Sequence, residues 1–246
     1  MPSISVAEVV LLEETYARAA RQVEEVIERF VGARVLARSE VATYRQAGIT
    51  QGWEIPGLCS EPCYSLRLLL PRSFPFKPPR IAVAPVPSVL EWPHLEDHGF
   101  LCLMADAASH SIDDVQSVAL MLLEDARTLV NSCISGEGFE QFEDEFQSYW
   151  VRWEKTKLAF TSLCSPQGPT RWVSAWHGKQ VTVVADNDEL LRRWLENRNG
   201  DESNGKLSLQ QVPFVWLPRP PRPEEYPQSA GELLSLIAGD PDARSM

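Results

Sequence analysis

Phe74-Pro75-Phe76-Lys77-Pro78-Pro79-Arg80-Ile81-Ala82-Val83-Ala84, followed within the same stretch by Trp92-Pro93-His94 and Gly99-Phe100-Leu101-Cys102-Leu103, decides how the rest of the chain is read. Proline fixes φ and removes a backbone donor, so Pro75, Pro78 and Pro79 exclude helix and central strand there. Ile81-Ala82-Val83 is one short apolar run bounded downstream by Pro85 and Pro87, as a brief strand would be. The stretch closes on a glycine, then a single thiol set between apolar residues. Read from the residues alone, it is a proline-braced extended loop that delivers one cysteine to a fixed place.

The ordered pieces resemble the ubiquitin-conjugating enzyme superfamily. Its members carry a strand, a Y-P-F-x-P-P turn, a second strand, a His-Pro-Asn tripeptide and a G-x-I-C-L segment whose cysteine takes up the modifier. Phe74–Pro79 matches the first motif and Gly99–Leu103 the last. The tripeptide of that superfamily starts ten residues before the cysteine, and Trp92-Pro93-His94 stands there. The proline matches; Trp92 replaces His and His94 replaces Asn. A W-P-H tripeptide with G-x-L-C-L is similar to the bacterial branch, whose members are often fused to or encoded beside a ThiF-like activating enzyme. The resemblance spans roughly residues 5 to 155.

It implies an α+β ubiquitin-conjugating-enzyme fold: an N-terminal helix, a four-stranded antiparallel meander, the active-site loop and C-terminal helices. The domain boundaries expected are 1–160 for this fold and 161–246 for a small α/β extension or connector.

Working outward, Val9, Leu12, Tyr16, Ala19, Ala20, Val23, Ile27 and Phe30 recur at helical steps, which predicts a helix over 6–31 with Ser5 as cap and Gly32 as stop. Strands are expected over 35–41, 49–55, 64–70 and 80–84, separated by Gly48, Gly52, Pro56-Gly57 and Pro71. Short turns between neighbours imply antiparallel pairing. Beyond the cysteine, 104–111 reads as a loop and 112–131 as a helix opened by Ser111 and Asp114. A third helix over 139–158 carries Phe142, Phe146, Tyr149, Trp150 and Trp153 on one side; large aromatics bury, so this stripe reads as core. After the linker Ser165-Pro166-Gln167-Gly168-Pro169 come a hairpin through His177-Gly178-Lys179, a short helix over 188–197, a polar loop over 200–205, a strand over 212–217, a proline-rich segment and a helix over 230–238.

With 34 acidic and 23 basic residues the net charge is −11, which argues against nucleic acid and anionic membrane as partners. No stretch has the length of a membrane span, and Met1-Pro2-Ser3-Ile4-Ser5 lacks the parts of a signal peptide. Five cysteines and no export signal read as thiols in a cytoplasmic protein.

The chemistry implied by the resemblance is thioester exchange. A modifier C-terminus, activated elsewhere with ATP, moves onto Cys102, and a target nucleophile then attacks it. Thiolate suits this because it is nucleophilic near neutral pH and its thioester stays reactive toward amines. The tetrahedral oxyanion needs a hydrogen-bond donor. His94, at the family's Asn position, can donate an N–H or act as base; a loop histidine bonded to backbone is the alternative. Asp106, Asp113 and Asp114 can orient an incoming amine or merely charge a helix start.

The implied partners are a ThiF-like activating enzyme, separate or fused, a ubiquitin-like protein or the C-terminus of a nucleotidyltransferase, and a target protein. The implied setting is bacterial antiviral defence. No adenylating Gly-rich motif occurs, so the ATP chemistry is expected elsewhere, and no cofactor or metal is called for. Two other readings stand beside this one. The chain can be a non-catalytic interaction or adaptor module of the same fold for a ThiF-like enzyme. Alternatively, His94, His98, Cys102, Cys59 and Cys63 can ligate zinc.

Overall fold

A computed structural model describes residues 6–103, 114–153, 159–167, 169–199 and 208–239. Ser5, Asp106, Ser111, Asp113, the loop over 104–111 and residues 154–158 of the expected third helix lie outside the described residues. By contacts the chain divides into Met1–Gln141 and Phe142–Met246.

In the first unit, helix α1 (Val6–Ile27) precedes a four-stranded antiparallel meander: β1 (Arg34–Val35), β2 (Ile49–Pro56), β3 (Ser65–Pro71) and β4 (Arg80–Ala84), in that order. Sequential neighbours pair, so each strand needs only a short return. Alternation along β3 sends Leu66, Leu68 and Leu70 to one face. There they pack with Trp53, Ile55, Ile81 and Val83 beneath Val23 and Ile27 of α1. Helix α3 (Val115–Ser135) covers the same face with Val118, Ala119, Leu122, Ala126 and Val130. Burying each such side chain contributes roughly 1.5–3 kcal/mol, so this layer holds the meander together.

The opposite face has a smaller core of Leu36, Tyr44, Ile49, Leu69, Ala82 and Phe100. The expected strand over 35–41 is cut short here. Only Arg34 and Val35 pair with β2, and Arg38–Ala42 is the short helix α2. The cause is Glu40. Its carboxylate reaches back to the Ala37 N–H (2.8 Å) and takes two N–H groups of Arg34 (2.7 and 2.8 Å), which closes a turn. Arg67 and Glu54 extend this into a network: Arg67 Nη2 stands 2.7 Å from Glu54 and 3.3 Å from Glu40. Asp114 caps α3, accepting the Ser117 N–H at 3.1 Å.

The second unit begins with α4 (Gln141–Asp144, whose first residue belongs to the first unit) and α5 (Phe146–Trp153), two pieces where one helix was expected. The aromatic stripe is packing surface, as read from the sequence. Trp150, Trp153 and Phe146 surround Tyr226 at ring separations of 5.1, 5.4 and 5.9 Å. A second sheet has the order β5 (Ala159–Leu163), β7 (Val181–Ala185), β6 (Arg171–His177), β8 (Gln210–Phe214). The β6–β7 hairpin matches expectation. Strand β5, parallel to β7, was not foreseen, and it runs across the 160/161 boundary drawn from composition. Helix α6 (Asp188–Asn199) lays Leu191 and Leu195 on Val183 and Ala185. Helix α7 (Ala230–Ile237) follows, capped by Ser229.

Candidate active site

Phe100–Cys102 runs as an extended segment tied to β4 by an isolated bridge. Ala82 bridges Phe100, and the Leu101 N–H donates to the Ile81 carbonyl at 2.9 Å. On its other side the segment is held by Leu95 and Glu96. Leu95 bridges Leu101, and the Glu96 N–H donates to the Phe100 carbonyl at 2.7 Å. Cys102 itself donates its N–H to the carbonyl of His94 at 2.9 Å. The tripeptide and the cysteine segment are therefore one hydrogen-bonded unit.

The sharp return between them explains the residue types. His98 (φ 60°) and Gly99 (φ 81°) are both left-handed, and the Gly99 N–H closes on the Glu96 carbonyl. His98 is a turn residue. His94 is left-handed too, with φ 54°. Asn, Asp and His are the non-glycine residues best tolerated there. A histidine at position 94 thus suits the left-handed backbone it occupies.

Trp92 and Pro93 are buried, and Trp92 packs on Tyr64 with rings 5.0 Å apart. Arg80 clamps the segment from outside: its guanidinium lies 3.7 Å over the Phe100 ring and 2.5 Å from Glu96.

Held in this way, Cys102 is exposed, while Leu101 before it is buried. It opens onto a cavity of about 760 Å³ whose walls include Ile81, Leu103 and Leu122. His94 is half-buried next to Leu95. Asp114 is committed to capping, and its carboxyl is held below the usual range by the Ser117 side chain and N–H. Among the described residues, no group of three or more His, Cys, Asp or Glu stands close enough to hold a metal ion, which leaves the zinc reading without a ligand cluster. Cys59 and Cys133 are buried, and burial pushes both thiols up to about 11. Sequence reasoning missed Arg72 and Lys77, which line the same cavity as Cys102. Lys77 holds the variable position of the Phe74–Pro79 motif and Arg72 precedes it, and the fold brings both to this cavity.

This α+β arrangement, with a meander under two helices and a cysteine segment tied to a proline tripeptide, is a ubiquitin-conjugating-like fold. The chain belongs to prokaryotic E2 family B, whose model matches residues 27–159, more than half of its length. Membership gives it an E2-like conjugating role, that of a transferase working with an activating enzyme or a ubiquitin-like partner. No curated protein matches the chain. Among the described residues, no helix is long and apolar enough to cross a membrane.

Proposed function

We propose that Cys102 accepts the C-terminus of a ubiquitin-like modifier, or of a nucleotidyltransferase, as a thioester and passes it to a nucleophile on a target protein. In loading, Sγ of Cys102 attacks the carbonyl carbon of the incoming thioester. One C–S bond forms, the C–S bond to the activating enzyme breaks, and the proton of the Cys102 thiol leaves with the departing sulfur. In transfer, the target amine attacks the same carbon and an oxyanion develops. That attack forms the C–N bond; the amine then gives a proton to a base or to water, and collapse of the oxyanion breaks the C–S bond and releases the sulfur of Cys102.

His94 is assigned to this step, as N–H donor to the oxyanion or as the base. A donor in that role is worth roughly 10²–10³ in rate. The single observation behind the reading is the exposed Cys102, its own N–H pinned on His94 and the residue before it pinned on Ile81. A ThiF-like activating enzyme as supplier, and bacterial antiviral defence as setting, rest on the resemblance of Trp92-Pro93-His94 and Gly99–Leu103 to the bacterial branch.

The test is incubation with activating enzyme, ATP and modifier. The expected product is an adduct cleaved by hydroxylamine or thiol and absent from Cys102→Ser. A wild-type chain that binds the activating enzyme yet never forms the adduct would establish the adaptor module instead.

A further inference from the structure

In a chain of net charge −11, the cavity reaching Cys102 has a net positive lining among the described residues, where its charged side chains are Arg72, Lys77, Arg80 and Glu96. Arg80 and Glu96 neutralise each other at 2.5 Å. Arg72 and Lys77 are exposed, and neither makes an ion pair or side-chain hydrogen bond with another described residue. Their backbone is nonetheless fixed. The Arg72 N–H donates to the Gly48 carbonyl at 2.9 Å and the Lys77 N–H to the Ser73 carbonyl at 3.1 Å, with Pro71 and Pro78 alongside. Two like charges around one cavity repel each other, and among the described residues no carboxylate offsets that repulsion by pairing with either. An anionic visitor would offset it.

We infer that the cavity receives an acidic polypeptide segment of the acceptor protein, its carboxylates on Arg72 and Lys77 and its nucleophile at Cys102. This inference rests on the thioester reading of Cys102. The acceptor is favoured over the modifier on physical grounds. A modifier already joined to sulfur gains no residence from further contacts, whereas the acceptor is held by non-covalent contacts alone, and its positioning sets the rate. Nearby cations also favour the neutral, nucleophilic form of an incoming amine. Carboxylates flanking that amine offset the repulsion it meets while still charged.

The experiment is fluorescence anisotropy on the full Cys102→Ser chain, with peptides of equal length around one central lysine. Their flanks are Glu, Gln or Lys, and both ends are blocked. The Glu peptide is expected to bind about tenfold tighter than the Gln peptide at low salt, with the advantage shrinking as salt rises. Arg72→Glu with Lys77→Glu should reverse the order, while Arg193→Glu, in the second unit, should leave it unchanged.

Equal binding of all three peptides, or an acidic preference that survives the double variant, overturns the proposal. So does tight binding that needs a free terminal carboxylate, which would assign the cavity to the modifier. Tighter binding of a single-stranded oligonucleotide than of the Glu peptide would likewise overturn it. Binding here needs no thioester. Failure of adduct formation by the wild-type chain therefore counts against the proposed function alone, and loss of peptide preference counts against this inference alone.

Discussion

A β-carbon on Gly99 would stand 2.5 Å from the carbonyl oxygen of Val83. Backbone cannot yield as a flexible side-chain tip can, and φ is 81° at this position. Gly99→Ala therefore carries both strain and a clash, together about 1–3 kcal/mol. A urea titration should show a lower midpoint with an unchanged slope. Hydrogen exchange at Leu101 and Cys102 should speed up more than exchange in β2 and β3. A midpoint equal to wild type would show that the return before Cys102 is not rigid.

His94 lies in the left-handed region, where Asn is also at ease. His94→Asn should thus keep wild-type stability, while His94→Ala should lose about 1 kcal/mol from backbone strain. In the transfer assay, His94→Asn is expected to retain donor function and His94→Ala to fall by roughly 10²-fold. If the imidazole acts as the base, His94→Asn falls as well. Comparing the two variants in a single-turnover assay with preloaded thioester separates these roles. An unchanged rate in His94→Ala would remove the residue from the chemistry.

Of the five thiols, Cys102 and Cys63 are exposed, whereas Cys59 and Cys133 are 8% and 5% accessible. Burial raises the thiols of Cys59 and Cys133 to about 11, so at pH 7.5 both stay protonated and unreactive. Brief iodoacetamide treatment of the native chain should modify Cys102 and Cys63, and should reach Cys59 and Cys133 only in denaturant. Peptide mapping by mass spectrometry reads this directly. Early label on Cys133, or none on Cys102, would contradict the structure at its central point.

The Arg34 side chain, followed by the Ala37 N–H, holds the Glu40 carboxyl at about 2, against an ordinary value of 4.5. A carboxyl lowered on folding stabilises the fold above its unfolded value and loses that contribution as pH falls through the folded one. Glu40→Gln should therefore cost about 1 kcal/mol at pH 7, after allowance for solvent screening. The gap to wild type should close between about pH 4.5 and about pH 2. Urea titrations at pH 7, 5, 4 and 3 would follow it, and a gap that does not change with pH would leave the turn to hydrogen bonding without charge.

The parts of the fold legible in the sequence are those fixed by local rules. Prolines 75, 78 and 79, the glycine at position 99 and the helical periodicities of α1 and α3 each constrain the backbone wherever they stand. The exposure of Cys102 does not follow from alternation, since Phe100 two residues earlier and Leu101 one residue earlier are both buried. Other features depend on groups far apart in the chain. Val35 to Val41 looks like strand until Glu40 is seen to gather Ala37, Arg34 and Arg67. Strand β5 is five residues long and finds its partner only in β7, beyond an intervening hairpin strand. Tyr226 lies far along the chain from the aromatic stripe it fills. Arg72 and Lys77 both lie in the connection between β3 and β4, and no spacing rule marks them as neighbours of Cys102.

The pairing of β5 with β7 also sets an order of events during synthesis. Each strand of the first meander meets its partner as soon as the next strand leaves the ribosome. Strand β5 emerges before any of its sheet exists and carries the exposed Phe160, then waits until residue 185 has appeared. The segment after residue 159 is accordingly the portion of the nascent polypeptide most open to chaperones and to mispairing, while the cysteine-bearing half can already be complete.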